Sequence, residues 1–429
     1  MEFDSPRDIL RHRPFQFFFV TRSFSRFATQ ISTVAIGWQI YDLTGSALYL
    51  GLAGLTQFLP TAILVFVAGH VADRYDRRRV LQVCQSAEGL VAIGLALGNV
   101  FDILTVPGIF AALIVLGTAT AFESPATAAI LPAVAPPGRL QQATALSTAG
   151  NQMATIVGPA LGGFAYAASP SVPYAIMTVL WLFASVMTRA IHLERPPAPK
   201  EMPTFSALFG GVRFVRDNPI ILGVISLDLF AVLFGGATAL LPIYARDILQ
   251  TGPWGLGLLR AGPAVGALAM TVVLAHLSIN RRAGLRMFQA VIAFGVATIV
   301  FAFSETIWLS LLALAAMGAA DTVSVVIRFS LVQLSTPDEM RGRVGAVNYL
   351  FVNASNQLGE FESGVVAEFL GAVPSAVLGG VGTILIALAW MRLFPTLRAV
   401  ERLDEPMPSS SLASSAPPAD VAMRARPPA

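Results

Sequence analysis

Asn353, Asn356, Gln357 and Glu360 recur at i, i+3, i+4 and i+7, which sets three amides and a carboxyl on one face of a helix. They lie in a long apolar run, where an ionisable group is costly unless paired or hydrated and is a functional hypothesis by default. Burial favours the protonated form of a carboxylic acid. Glu360 is therefore expected to be a proton site or a cationic-substrate site, and the competing reading is a structural pair with Arg328 or Arg26. Glu362 lies about 200° around the helix from Glu360 and faces elsewhere. Nearer the start of the chain, Arg22, Arg26, Thr29, Gln30 and Thr33 form a second polar stripe. Arg26 is deep and is expected to face a cavity, whereas Arg22, ~10 Å from the helix end, either faces the cavity or snorkels outward. Glu123, beside Ser124 and Pro125, has two readings: an ion pair with an arginine of the first run or a loop, or contact with a substrate. Asp228 stands alone near the cytoplasmic third of its run and is a functional candidate with an interfacial position as the competing reading. Asp321, Ser324 and Arg328 share a face, but two turns is ~11 Å, too far for a direct bridge, so partners on neighbouring helices are expected.

The elements that hold these residues must be membrane helices. The chain has 429 residues, of which 55% are hydrophobic and only 12% charged, with a mean hydropathy of +0.69. Soluble domains are about 25% charged, so a soluble fold would leave large apolar patches facing water. Cys84 is the one cysteine, which excludes an internal disulfide framework and a cysteine-based zinc site. His12, His70, His192 and His276 have no metal-ligand spacing. No metal or cofactor is expected, and no nucleophile–base constellation suggests an enzyme.

Spans need ~20 mostly apolar residues. Twelve such runs are read at 15–40, 47–68, 80–100, 104–126, 143–167, 173–192, 219–245, 254–277, 285–304, 306–333, 344–369 and 373–394. The expected organisation is an N-terminal segment 1–14, a six-helix bundle 15–192, a central loop 193–218 ending in an amphipathic stretch, a second bundle 219–394 and a disordered tail 395–429. Of 28 basic residues 27 are arginine, and they gather in alternate connectors, such as Arg74 to Arg79, Arg281 to Arg286 and Arg341 to Arg343. The positive-inside rule then places both termini in the cytoplasm. A net charge of +3 distributed in this way gives no reason to expect a nucleic-acid partner.

An internal repeat supports the six-plus-six division. A shift of about 201 residues lays Gly158 on Gly359 and Gly163 on Gly364, and a similar shift lays Gly51 on Gly257. Two homologous halves are a usual plan for alternating-access carriers.

The loop Gly69-His70-Val71-Ala72-Asp73-Arg74-Tyr75-Asp76-Arg77-Arg78-Arg79 resembles the signature loop between the second and third spans of the major facilitator superfamily, with Asp76 in place of the usual second glycine. The resemblance implies a cytoplasmic gate motif comprising Gly69, Asp73, Arg74, Arg77 and Arg78, with Asp73 facing the start of the eleventh helix near Arg343 to Gly345. The competing reading makes these arginines membrane anchors. Gly158-Pro159-x-x-Gly162-Gly163 is similar to the fifth-helix motif of the superfamily's exporters. It is read either as tight packing or as a determinant of transport direction. The segments 38–47, 336–344 and 359–364 resemble the branch that includes the enterobactin exporter and macrolide-efflux-type carriers. The fourth-span arginine of drug/proton antiporters has no counterpart, since no arginine lies between Arg79 and Arg139.

The expected protein is an all-α membrane protein with twelve helices in two pseudo-symmetric halves, acting as a monomer in the cytoplasmic membrane. The resemblance implies proton-driven efflux of a medium-sized amphipathic compound, such as a siderophore, antibiotic or metabolite, with the proton gradient in place of any cofactor. Import of a metabolite is the main alternative, and a non-transporting sensor on the same fold is a lesser one. Candidate proton or substrate residues are Glu360, Asp321, Arg328, Arg26, Gln30, Asn353, Asn356 and Glu123.

Overall fold

Local chemistry sets the helix ends. The computed structural model describes residues 9–191, 205–276 and 282–402. The expectations for the first eight residues, for 193–204 of the central loop and for the tail beyond 402 lie outside the described residues. Proline in the first turn opens α1 (Arg13–Thr44), and Gly45, at φ 60, closes it with a left-handed turn that a side chain would strain. After α2 (Ala47–Arg74), Asp76 caps α3 (Arg77–Val100) and Thr105 caps α4 (Val106–Val134). The first six helices end with α5 (Leu140–Ala168) and α6 (Ser171–Arg189). Pro159 lies inside α5 without ending it.

The amphipathic stretch forms a helix, Phe205–Asp217, and Asn218 then caps α7 by accepting from the amides of Ile220 and Ile221. The helix α7 (Pro219–Phe234) is interrupted at Gly235 and Gly236, and the chain continues through tighter and wider helical turns to Ile248. The remaining long helices are α8 (Gly252–His276), α9 (Ala283–Ala302), α10 (Ile307–Leu334), α11 (Asp338–Leu370) and α12 (Ala372–Leu393). The fold is the expected all-α membrane architecture, and the long helices among the described residues are consistent with twelve in two related halves. Among the described residues, nine of the segments are long and apolar enough to cross a membrane by composition alone. The other three, α1, α5 and α11, are the ones whose sequences are diluted by polar residues.

The cores show where the halves meet. At the arginine-poor end one apolar cluster runs through both halves, joining Trp38, Leu50 and Tyr174 to Leu240, Tyr244 and Leu256. At the arginine-rich end the cores are separate: Phe15, Phe18, Leu81 and Ile130 in one, Ile221, Met287, Leu331 and Val344 in the other. Burial on this scale fastens one end of the molecule and leaves the other divided.

The repeat has a direct structural counterpart. A Cβ on Gly257 of α8 would stand 2.5 Å from the Pro159 carbonyl oxygen and 3.2 Å from the Gly163 Cα of α5. In the related crossing, a Cβ on Gly364 of α11 would stand 2.9 Å from the Gly51 Cα of α2. Small residues here let backbones of opposite halves touch.

Candidate functional site

Between the halves lies a cavity of about 870 Å³. Its walls come from the faces of α1, α2, α4, α5, α8 and α11 that carry polar groups, because lipid takes the apolar faces and leaves hydroxyls, amides and charges to line the interior. The first half contributes Arg22, Arg26, Gln57, Glu123 and Asn151, and the second contributes Arg260, Tyr349, Asn353, Gln357 and Glu360. Hydroxyls of Ser25, Thr29 and Thr33 complete the α1 face.

Geometry organises these groups into two charged centres. On one wall, Glu123 Oε1 accepts from Ser25 Oγ at 2.8 Å and from Gln85 Nε2 at 3.3 Å. Arg26 and Arg22 supply positive charge towards Glu123, while Arg22 Nε also donates to Asn151 Oδ1 at 3.2 Å. On the opposite wall, Arg260 supplies the positive charge that reaches Glu360. A Cβ on Gly54 of α2 would stand 3.0 Å from Glu360 Oε2 and 3.3 Å from Gln357 Oε1. The Glu360 carboxyl therefore rests against the backbone of the other half. Three guanidiniums and two carboxyls in one water-reached chamber can bind a polar group of either sign and exchange protons.

Arg22, Arg26, Glu123, Asn353 and Glu360 reach the cavity, and the structure brings them together. Several expectations need correction. Gln30 packs at the α1–α5 seam, where a Cβ on Gly158 would meet its Cβ at 2.6 Å. Asn356 is off the cavity wall and donates to the Val352 carbonyl at 2.8 Å, because its helical phase carries it past the cavity edge. Arg328 lies inside the second half and half-exposed Asp321 beside it, around a small void shared with Asp228 and Ser324. Arg328 pairs with Asp228 of α7, which is buried against the protein and not exposed at its surface, and also bridges Asp321 at 3.6 Å. The two-turn gap closes because a long side chain leans towards the start of its helix. Glu360 pairs electrostatically with neither Arg328 nor Arg26 but with Arg260.

Arg260 and Glu88 escaped the sequence reading. Each is a lone charge in the middle of an apolar run, at 252–276 and 80–100, and a census of ionisable residues in every span identifies both.

At the arginine-rich end the signature loop is folded on itself. Asp73 forms an ion pair with Arg77 at 3.7 Å, and buried Arg77 donates from Nε to the Ala72 carbonyl at 3.0 Å. Arg78 binds Asp76 at 2.8 Å and the Ile191 carbonyl at 3.0 Å, tying α3 to the end of α6. The Arg78 guanidinium holds the Asp76 carboxyl below the usual carboxylate range. Aspartate thus replaces the usual glycine without strain, at φ −60, and serves as a helix cap. The contact expected between Asp73 and the start of α11 is not made in this conformation. Gly342 and Gly345 face open space, and Gly211 of the connecting helix approaches the Arg343 carbonyl instead.

The arginine-poor end is shut by polar contacts as well as by the shared core. Tyr41 donates to Asp247, Arg246 pairs with Asp42 at 3.3 Å, and Glu368 accepts from Ser46 Oγ at 2.8 Å and the Leu48 amide at 3.0 Å. The cavity thus opens towards the arginine-rich end.

Comparison with known proteins agrees with this architecture. Residues 5–426 match the family model of the major facilitator superfamily described as transmembrane secretion effector. The chain is 26% identical over 393 residues to the enterobactin exporter EntS of Salmonella choleraesuis (strain SC-B67), covering 90% of this chain and 94% of that one. It is 25% identical over 405 residues to the enterobactin exporter EntS of Escherichia coli (strain SMS-3-5 / SECEC), covering 93% and 96%. Among solved structures, a bacterial homologue of the iron transporter ferroportin in an inward-facing state superposes with a TM-score of 0.68 at 16% identity, covering 90% of this chain and 99% of that one. A POT family transporter in complex with 5-aminolevulinic acid superposes with a TM-score of 0.71 at 11% identity, covering 90% and 96%.

Proposed function

The chain belongs to the transmembrane secretion effector family of the major facilitator superfamily, and from that premise we propose that it is a proton-driven exporter of a medium-sized amphipathic compound. The observation that carries this reading is the cavity, open at the arginine-rich end and closed at the other, with Glu360 and Glu123 on opposite walls. The arginine-rich end is cytoplasmic by the positive-inside rule, so both termini lie in the cytoplasm and the chamber loads from inside. Siderophores, antibiotics and metabolites are the substrate classes, and the first is favoured by the similarity to enterobactin exporters. The unit of transport is the monomer, with one cavity per chain.

Transport follows from rocking the halves about the central site. A cationic or hydrogen-bond-donating group of the substrate competes with a proton for a cavity carboxyl, so that loading by one releases the other. That exclusion makes outward substrate flow and inward proton flow obligatory partners. Arg260 sets the charge at Glu360, and the amides of Asn353 and Gln357 beside it orient a polar substrate group. The test is flux of a panel of siderophores, antibiotics and metabolites in vesicles of known orientation, with and without a proton gradient. Glu360→Gln should insert normally and lose gradient-driven flux. Gradient-driven flux at the wild-type rate in that variant would remove Glu360 from the mechanism.

A further inference from the structure

Glu88 lies behind the cavity wall, in the interior of the first half. It is 2% exposed, lies off the cavity lining, and its Oε2 is buried without a hydrogen-bond partner. The buried face of α3 around it reads Leu81, Cys84, Gln85, Gly89 and Ala92, which offers no cation.

The other helices of this half offer little more. Glu123 is the one charged residue of α4, α5 has none, and Arg189 stands at the last position of α6. The helix α2 has no charged residue between Ala47 and Gly69, and Arg77, Arg78 and Arg79 are two to three turns away at the start of α3. Arg22 and Arg26 of α1 are directed to the cavity and to Glu123. The ionisable groups acting on Glu88 are thus Glu123 and, on its own helix, Cys84. A carboxylate with a stranded oxygen in such a place is strongly disfavoured, and two neighbouring carboxylates cannot both ionise cheaply.

Gln85 bonds one of the two acids, Glu123, and lies beside the other along α3. One turn before Glu88 on the same face, it accepts from Thr188 at 2.9 Å through Oε1 and donates to Glu123 through Nε2. Thr188 shares its one hydroxyl hydrogen between Gln85 Oε1 and the Ala184 carbonyl, both at 2.9 Å, while the Gln85 NH₂ faces Glu123, as suits an ionised acceptor.

We infer that Glu88 and Glu123 are a linked pair of acids that holds one exchangeable proton in the first half, on Glu88 while the cavity is open to the arginine-rich end. Transfer breaks the O–H bond of Glu88 and forms one on Glu123. The negative charge passes the other way, and Glu123 releases the proton to cavity water. The inference rests on the proton-driven reading above and adds a holding site removed from the substrate chamber.

Infrared spectra of the full-length protein in liposomes test it without substrate or gradient, so the result is separable from the flux experiment. The wild type at neutral pH should show a protonated-carboxyl C=O band that Glu88→Gln removes. Glu123→Gln should retain that band at a shifted frequency, since the neighbouring charge is gone. Identical wild-type and Glu88→Gln spectra, or a Glu88 band unmoved in Glu123→Gln, would overturn the inference. If Glu88→Gln does not fold, Glu88→Asp is read in the same way: a displaced band supports the proton on this side chain, and an unchanged spectrum refutes it.

Discussion

Asp228 and Arg328 are 7% and 13% exposed at the side chain, and Asp321 stands 3.6 Å from the same guanidinium. Removing one member of a buried pair strands the other and costs about 3–5 kcal/mol. Arg328→Met leaves two acids without a cation, whereas Asp228→Asn leaves Asp321 to pair with the arginine. Thermal unfolding in detergent should therefore show a larger loss for Arg328→Met than for Asp228→Asn, and the double variant should recover part of the Arg328→Met loss. Equal losses would assign the site to packing and not to charge. The position of this cluster also shows what spacing leaves open. The helical stripe of Asp321, Ser324 and Arg328 was legible, but the direction of that stripe depends on the rotation of α10 against α7 and α12. Asn356 and Gln30 were misplaced for the same reason, while Arg26, Asn353 and Glu360 fell on faces that do line the cavity.

The helices were far more legible than the site because their ends are local events. Asn218, Thr105 and Gly45 stop or start helices through their own side chain or backbone, and each lies at or within a few residues of a boundary read from the sequence. The break in α7 was not foreseen, since Gly235 and Gly236 matter through their approach to Phe294 and Gly359 on other helices. The glycines of α5 and α11 show how one motif serves two neighbours. Gly158 and Gly162 receive α1, at Gln30 and Ile31, while Gly163 meets Gly257 across the halves. The crossings at Gly257 and Gly364 belong to the closed arginine-poor end. A methyl group at Gly257 would sit 2.5 Å from the Pro159 carbonyl oxygen, so the helices must part. Gly257→Ala should lengthen the distance between spin labels at Leu43 and Leu370, which are exposed at that end on opposite halves, without loss of helix content. An unchanged distance would show that α5 and α8 absorb the methyl group by sliding.

A carrier must visit both end states, so the contacts closing one end have to be weak enough to open. The polar gate fits that requirement. Arg246 and Asp42 are 39% and 51% exposed, and an ion pair so well reached by water contributes about 0–1 kcal/mol. Glu368 satisfies the Leu48 amide at the start of α2 from the opposite half, a cap of about 1 kcal/mol. With ~1.4 kcal/mol per tenfold change in an equilibrium, each contact shifts the balance between conformations by less than tenfold, and the shared apolar core supplies the remainder. Arg246→Ala should accordingly move the population modestly towards the state open at the arginine-poor end, and Arg246→Ala with Glu368→Ala should move it further. The exchange of Asp42→Arg with Arg246→Asp should restore the wild-type distribution. Spin labels at Leu43 and Leu370 report that end, and labels at Tyr75 and Leu334 report the arginine-rich end, where distances should shorten as the others lengthen. Reciprocal change at the two ends is the signature of rocking halves. If the Leu43–Leu370 distance grows while the Tyr75–Leu334 distance stays fixed, the gate frays locally, and the alternating-access reading loses its support.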